Sequence, residues 1–442
     1  MRRQRRGYIL AILLIVIAVL ILAGLLFNRP LPIREWAGWQ AVPSPSPSPS
    51  AVPTPTSTPT LTSAPTPTPT PIPTSTSIPY TPEPTLSFEQ ADFVNAARYE
   101  NVDALKAALL DARAVLSPQV TARLDKRVTL NAIKALLAIF DGTIEYAYGT
   151  LSGSTDLCML ISFTYTPGAK IAQAYKQGTT AGLTDAERRV FESANAWLES
   201  QQPSLLSNLR SYQLSSPLLM ERAIHDFVCT NAQYFDDRTS APTATLRDYQ
   251  TAIGLFEDKR GNCMAYSDAF LMLARMAGFE CDTIIGEAAD ENGQWIGHAW
   301  NMIKIDDQWL MLDATYDDLD SPPFTMSYAY FNVDARTIAA DHRWVDGAMY
   351  RPVSQSPSTT NGFGNSLFPD LKRAQNVDVF KQQFKLAASD GGATETWFML
   401  DGFSVTTELL QSWLQEWRLP GQWLMIYQDV GVNQYWMFHL QK

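Results

Sequence analysis

Cys263 has the surroundings of a nucleophile. It follows Gly261 and Asn262 and opens the stretch KRGNCMAYSDAFLMLARMAG (259–278), in which Phe270, Leu273, Ala274 and Ala277 recur with helical spacing and Gly278 is placed to close the helix. A cysteine at a helix N-terminus meets unpaired backbone amides. Their partial positive charge favours thiolate over thiol, and their N–H groups can receive an oxyanion. Further on, GHAWNMIKIDDQWLMLDATYDD (297–318) supplies His298 and Asp313. In that trio His298 takes the cysteine proton and returns it to a leaving group, while Asp313 fixes the tautomer and orientation of the ring.

Helix, sheet and turn must combine to bring these groups together. After the helix come a short strand at 281–285, a turn at 290–293 and a hairpin. With Asp306 and Asp307 as a two-residue turn, Ile305 faces Gln308, which sets Trp300 opposite Asp313; a four-residue loop gives the same register and a one-residue bulge breaks it. His298 lies two residues from Trp300 on the same face. It is thus a diagonal neighbour of Asp313, at a main-chain separation of ~7–8 Å that the two side chains can bridge. An amphipathic helix, PLLMERAIHDFVCT (217–230), precedes this region.

GNCMAYSDAF with AGFECDTIIG, then GHAWNMIKIDDQWLMLDATYDD, resembles the transglutaminase-like superfamily, a papain-related Cys-His-Asp group. The likeness spans about 223–344 and includes AIHDFVCTNAQYFDD upstream and YFNVDARTIAADHRW downstream, which are similar to flanking segments of bacterial extracytoplasmic members. It implies an α+β papain/transglutaminase-like core, with the cysteine on a helix packed on an antiparallel sheet and with Cys263, His298 and Asp313 as catalytic residues. It also implies acyl transfer from a glutamine side chain to an amine, or amide hydrolysis, although some members have lost activity. Met264 and Ala265 depart from the more usual polar and glycine residues after the cysteine, which bears on substrate fit. Gln250 and Tyr249 are candidates for a second oxyanion donor. Tyr266, Trp300, Asn301 and Thr315 either support the site or belong to the framework.

The other histidines and cysteines read as structural. His225 lies in an amphipathic helix and His439 in a C-terminal strand, and His342 is expected to pack. Cys158, Cys229 and Cys281 sit in core-like text, with a Cys158–Cys229 disulfide left open. Four cysteines in 442 residues, without CxxC, argue against a disulfide scaffold or a structural zinc site. Asp317 and Asp318 lack a further ligand run. No metal and no cofactor are expected.

Residues 8–27 form an unbroken apolar run of the length that spans a hydrocarbon core, with Arg2, Arg3, Arg5 and Arg6 ahead of it. This predicts a cytoplasmic stub and single-pass transmembrane anchor over 1–40, N-terminus inside; a cleaved signal peptide is the competing reading, but its apolar region is normally only ~7–15 residues and no small-x-small cleavage site stands out before Asn28. Ser-Pro and Thr-Pro repeats over 41–85 predict an extended Pro-rich stalk. The folded remainder divides into an N-terminal α+β flank (86–215), the catalytic domain (216–350) and a C-terminal α+β module (374–442). In the first flank, helices are read at 92–110, 130–140 and from Thr184 to about 199, and strands at 143–150 and 157–165. In the last, strands fall at 396–400, 423–427 and 434–440 and a helix at 406–417. With a net charge of -11, nucleic acid is a poor partner.

The combined expectation is a membrane-anchored, extracytoplasmic thiol enzyme acting on amide bonds of proteins or peptides at the cell surface through a thioester. Two alternatives stand beside it: a cysteine peptidase of the same chemistry, and a catalytically silent peptide-binding module of the envelope.

Overall fold

The computed structural model describes residues 93, 95–138, 144–150, 154–212, 216–237, 247–290, 292–321, 323–344, 354, 362–364, 367–389, 395–419 and 422–441. The expected anchor and stalk lie outside them. Among the described residues no helix is long and apolar enough to cross a membrane.

The first module runs β1 (Ala97–Tyr99), α1 (Val102–Ala114), β2 (Gln119–Leu124), α2 (Leu130–Ala138), β3 (Ile144–Thr150) and β4 (Leu157–Phe163). Its sheet has the order β1-β2-β4-β3, with β1 parallel to β2 and the other pairs antiparallel. The helix expected over 92–110 begins only at Val102. Asn101, in extended backbone, accepts the Ala104 N–H and caps it, and the residues before it pair as a strand.

The central unit opens with α3 (Pro167–Gln177), which the sequence reading missed although Thr166 caps it, Pro167 starts it and Gly178 ends it in the left-handed region. Next is α4 (Asp185–Tyr212), longer than expected. Thr184 and Glu187 do form the reciprocal capping box at its start. Then come α5 (Ser216–Asn231), β5 (Gln233–Tyr234), β6 (Arg260–Gly261) and α6 (Cys263–Met276), the helix that begins at the cysteine. β7 (Cys281–Ala289), β8 (Trp295–Ile305) and β9 (Gln308–Leu312) follow, then α7 (Ala314–Asp317), β10 (Asp318–Ser321), β11 (Phe324–Met326), α8 (Ala335–Ile338) and β12 (His342–Arg343). The central sheet has the order β12-β7-β8-β9, all antiparallel. Ile305 faces Gln308, and Asp306 and Asp307 both have positive φ, as a two-residue hairpin of this twist requires.

Helix α6 is buried along most of its length, Tyr266 and Phe270 fully, and its apolar side shares one core with the inner faces of β7, β8 and β9. Asp268 ties it down from behind. Its carboxylate accepts the N–H groups of Gly168 (3.0 Å) and Ala252 (2.9 Å) and the Thr166 hydroxyl. A Cβ at Gly168 would collide with that carboxylate, so the glycine is what lets α3 approach.

The last module is β13 (Leu371–Ala374), α9 (Val377–Ser389), β14 (Glu395–Leu400), α10 (Thr407–Trp417), β15 (Gln422–Val430) and β16 (Asn433–Gln441), in the order β13-β14-β16-β15. It begins at Leu371, ahead of the expected 374. Phe398, Leu400, Trp436 and Phe438 pack against its helices, whereas Trp397, Met399, Tyr435 and Met437 join the central core.

One buried acid makes stability depend on pH. Glu221 on α5 is fully buried; its Oε2 accepts the Asn332 amide (2.9 Å), while Oε1 has no partner among the described residues. Burial pushes its pKa from 4.5 up to about 8, against the pull of Asn332 and His225. The folded state therefore holds a proton that the unfolded chain releases, and stability from this group is lost as pH rises from the ordinary carboxyl value through about 8. Glu221→Gln removes the effect. The melting temperature of the variant relative to wild type is expected to climb between pH ~5 and ~8, by the equivalent of ~1.4 kcal/mol per unit at most; a flat difference would refute this.

Candidate active site

Asn262 sits in extended backbone, and its side chain accepts the Met264 N–H (3.1 Å) while its carbonyl accepts the N–H groups of Ala265 and Tyr266. Cys263 is the first helical residue, and among the described residues its own N–H donates to nothing. A donor and a half-exposed sulfur thus share one helix tip. Cys158, Cys229 and Cys281 are all buried. The open question of a Cys158–Cys229 disulfide is answered by Cys229, whose thiol donates to the Ala314 carbonyl (3.3 Å).

His298 lies on β8 and Asp313 just past the end of β9. Their side chains meet as the register requires, with His298 Nε2 2.6 Å from Asp313 Oδ2. That leaves Nδ1 as the ring nitrogen available to the cysteine, whose thiol is among the groups acting on the imidazole. Burial disfavours the imidazolium, but the Asp313 charge and hydrogen bond outweigh it, with a further contribution from Cys263, and raise the His298 pKa to about 10. For Asp313 burial alone would favour the neutral acid. The facing histidines win and hold its carboxyl well below the usual range.

Asp313 is held on every side. Its Oδ1 caps α7 by accepting the N–H groups of Thr315 (2.9 Å) and Tyr316 (3.3 Å), and its Oδ2 also meets Nε2 of His342 at 3.0 Å. His342, expected only to pack, is therefore a partner of the site. It enters from β12, and its Nδ1 lies 2.6 Å from Asp341, which also accepts the Tyr330 hydroxyl (2.6 Å). The pointer in the sequence was its place in the ADHRW segment; nothing local revealed its aim. The ligand atoms of His298, Asp313 and His342 lie within 4.8 Å of one another, close enough for a metal. Both imidazoles, however, address a single carboxylate oxygen at hydrogen-bond distance, the arrangement of two N–H donors.

The supporting candidates separate into two kinds. Trp300 is buried and stacks on His298 (6.0 Å, 20°) and edge-on to His342 (4.9 Å), so it walls the imidazoles. Gly286, opposite His298 on β7, has room for no side chain because Trp300 and the Arg343 carbonyl lie against it. Tyr266 and Asn301 are framework. The Tyr266 hydroxyl donates to Asp318 and lies 3.3 Å from the Ala232 carbonyl, and the Asn301 amide donates to the Ser267 and Asp282 carbonyls, strapping α6 to the sheet. Thr315 contributes its N–H, while its buried hydroxyl has no partner among the described residues. Gln250 accepts the Arg247 N–H (3.0 Å), and the Tyr249 carbonyl accepts that of Asn262 (2.9 Å). That turn braces the cysteine loop without presenting an identified oxyanion donor.

A second Cys-His-Asp cluster lies behind α7. His225 Nε2 is 3.0 Å from Asp317 and 3.6 Å from the Cys229 sulfur. All three residues are inaccessible, and burial pushes the Cys229 thiol up to about 12, so this cluster anchors α7 and has no route to a substrate. Asp317 also accepts the Ser327 hydroxyl and the Tyr330 N–H (3.1 Å), which accounts for its carboxylate without a cation. His439 on β16 lies edge-on to Phe324.

Residues 210–314 match the family model of the transglutaminase-like superfamily, so the segment bearing the cysteine helix and the hairpin is a transglutaminase-like core of mixed α and β structure. Among curated proteins, kyphoscoliosis peptidase of Mus musculus is 26% identical over 231 residues, which cover 46% of this chain and 32% of that protein. Its Homo sapiens counterpart is 24% identical over 228 residues, with the same coverage of 46% and 32%. The chain thus spans about a third of the length of these relatives. Among solved structures, the periplasmic domain of TgpA from Pseudomonas aeruginosa aligns at 15% identity with a TM-score of 0.21, covering 39% of this chain and 63% of that one.

Proposed function

We propose that the chain is a thiol enzyme that cleaves or exchanges amide bonds of proteins or peptides through a thioester on Cys263. The observation that carries this is the 2.6 Å His298–Asp313 contact, set by the hairpin register beside a half-exposed cysteine at a helix tip. In the first half-reaction the sulfur forms a bond to the carboxamide carbon and the C–N bond breaks. The departing amine or ammonia takes its proton from His298, and the free Cys263 N–H stabilises the oxyanion between. In the second, water or an amine attacks the thioester, gives its proton to His298 and expels the thiolate. No step needs a metal or an organic cofactor.

Residues 8–27, behind an arginine cluster, support anchoring in a membrane with the core on the far side, and the repeats over 41–85 support a stalk between them. The substrates would then be surface proteins or peptides. The name peptidase borne by the curated relatives supports hydrolysis as one outcome.

Incubation with a glutamine-bearing peptide and a primary amine, followed by mass spectrometry, separates the outcomes. Gain of the amine with loss of ammonia means crosslinking, conversion of amide to acid means deamidation, and chain cleavage means proteolysis. Absence of any product that depends on Cys263 would refute the reading and favour a silent peptide-binding module.

A further inference from the structure

The two flanks share the motif Arg-x-x-Asn-Val-Asp. Arg98-Tyr99-Glu100-Asn101-Val102-Asp103 enters α1, and Arg373-Ala374-Gln375-Asn376-Val377-Asp378 enters α9; each helix has 13 residues. The architecture repeats with it. Both modules are β-α-β-α-β-β, both sheets place the third strand at one edge and the fourth inside, and in both only the first two strands are parallel. The pairing register agrees as well, since Arg98 lies beside Arg123 and Tyr99 beside Leu124, as Arg373 lies beside Met399 and Ala374 beside Leu400.

Side-chain bonds at the corresponding joints agree as well. Asn101 caps α1 on the Ala104 N–H (2.8 Å), and Asn376 caps α9 on the Val379 N–H (2.9 Å). Arg98 pairs with Asp125, directly after β2, at 2.6 Å, and Arg373 pairs with Asp401, directly after β14, at 2.6 Å; Arg98 alone has a second partner, Asp156 (3.0 Å). The N–H groups of those aspartates return to the Tyr99 (3.0 Å) and Ala374 (2.9 Å) carbonyls. Leu105 and Leu109 are buried under α1 where Phe380 and Phe384 are buried under α9. Each second helix follows a buried valine, Val128 or Val405, and a threonine cap, Thr129 or Thr406. A common fold explains shared strand order; it does not require the same arginine, asparagine and aspartate at the same joints.

The copies differ on the sheet face away from their helices. In the C-terminal copy that face presents Trp397, Met399, Tyr435 and Met437, which enter the core behind α6. The register places Thr121, Arg123, Cys158 and Leu160 at the same four points of the N-terminal copy. There Arg123 is tied to Asp156 (3.1 Å), and Cys158 and Leu160 are covered by Phe93. The large apolar side chains are present only where the core needs a wall. The C-terminal copy is also bonded to the core. Asp370, just before β13, pairs with Arg222 of α5 (2.5 Å), and Gln428 of β15 donates to the carbonyl of Tyr316 on α7, the helix that Asp313 caps (3.3 Å). The N-terminal copy meets the core from the end of α1, where Arg113 pairs with Asp282 (3.3 Å).

We infer that residues 97–163 and 371–441 are two copies of one module, and that the second has been recruited through its sheet face as a wall of the unit bearing Cys263, His298 and Asp313, while the first remains separable from it. Hydrogen exchange by mass spectrometry on the full chain tests this without any need for turnover, so it stands or falls apart from the proposed chemistry. Arg98→Gln is expected to speed exchange about two- to fivefold across 97–163 and nowhere else, as loss of the partly exposed ion pairs to Asp125 and Asp156 should. Arg373→Gln should do the same across 371–441 and, in addition, across 314–317. The cap variants Asn101→Ala and Asn376→Ala repeat the comparison if an arginine variant does not fold. An N-terminal variant whose effect reaches 314–317, or a C-terminal one whose effect stays within its own copy, overturns the recruitment. An experimental structure in which Arg98 and Asp125 fail to superpose on Arg373 and Asp401 overturns the duplication.

Discussion

Cys263→Ala is expected to lower amide-bond turnover by at least ~10³-fold while the melting temperature stays at the wild-type value. The substitution removes a single half-exposed atom from a helix whose start is fixed by Asn262, so neither the cap nor the core behind it changes. Chemical labelling gives an independent reading of the same residue. Iodoacetamide should modify one thiol in the native wild type and none in the variant, because the other three are buried. Burial also pushes Cys229 up to about 12 and Cys281 higher still. Label entering Cys158, Cys229 or Cys281 under native conditions, or turnover that survives the substitution, would sink the assignment.

Much of this site was legible because its geometry is local. The His298–Asp313 contact follows from a two-residue turn and a strand period of two, both of which can be counted along 297–318. The same holds for the Thr184–Glu187 box and for the start of α6 at the cysteine. What escaped depends on pairings distant in sequence or on text read one element at a time. His342 reaches Asp313 only because β12 pairs with β7, more than fifty residues earlier, and no local period announces that. The strand Ala97–Tyr99 was absorbed into a helix because its three residues carry little pattern of their own and borrow their conformation from β2. The repeated Arg-x-x-Asn-Val-Asp text was present from the start, but its meaning rests on aspartates about 27 residues further on, a distance that only the folded sheets close. Exposure of the sulfur, likewise, is what distinguishes Cys263-His298-Asp313 from Cys229-His225-Asp317, since the residue types are the same and the histidine and aspartate are buried in both.

Asp313→Asn and His342→Phe are expected to displace the alkaline limb of the activity profile in opposite directions. The Asp313 carboxylate, against the opposing effect of burial, is what raises His298 to about 10, and in the proposed reaction the protonated ring is the form that donates to the leaving group. Replacing that carboxylate by a neutral amide should cut the rate by ~10³- to 10⁴-fold and bring the limb down toward the ordinary imidazole value of ~6.5. His342 acts from the other side. Burial disfavours its charge, but Asp313 and Asp341 outweigh that and raise its pKa, and His298 across Asp313 opposes the rise, because the two rings repel each other whenever both carry a proton. The groups facing His342 are Asp313, Asp341, His298, Tyr316 and Tyr330, with Trp300 against its ring. Phenylalanine there deletes both the donor that fixes Asp313 and the repulsion felt by His298. The rate should fall ~10- to 100-fold, as for loss of a hydrogen bond to a buried charge, while the limb moves up. His342→Gln restores an N–H without the charge, so it should recover part of the rate and leave the limb displaced. Stability carries the matching signature. The raised His298 contributes below its unfolded value of 6.5, and this is lost as pH rises through about 10; the depressed Asp313 contributes above 3.8, and this is lost on acidification. The melting-temperature deficit of Asp313→Asn should therefore be widest between those limits. A limb that moves the same way in both variants would show that His342 serves packing alone.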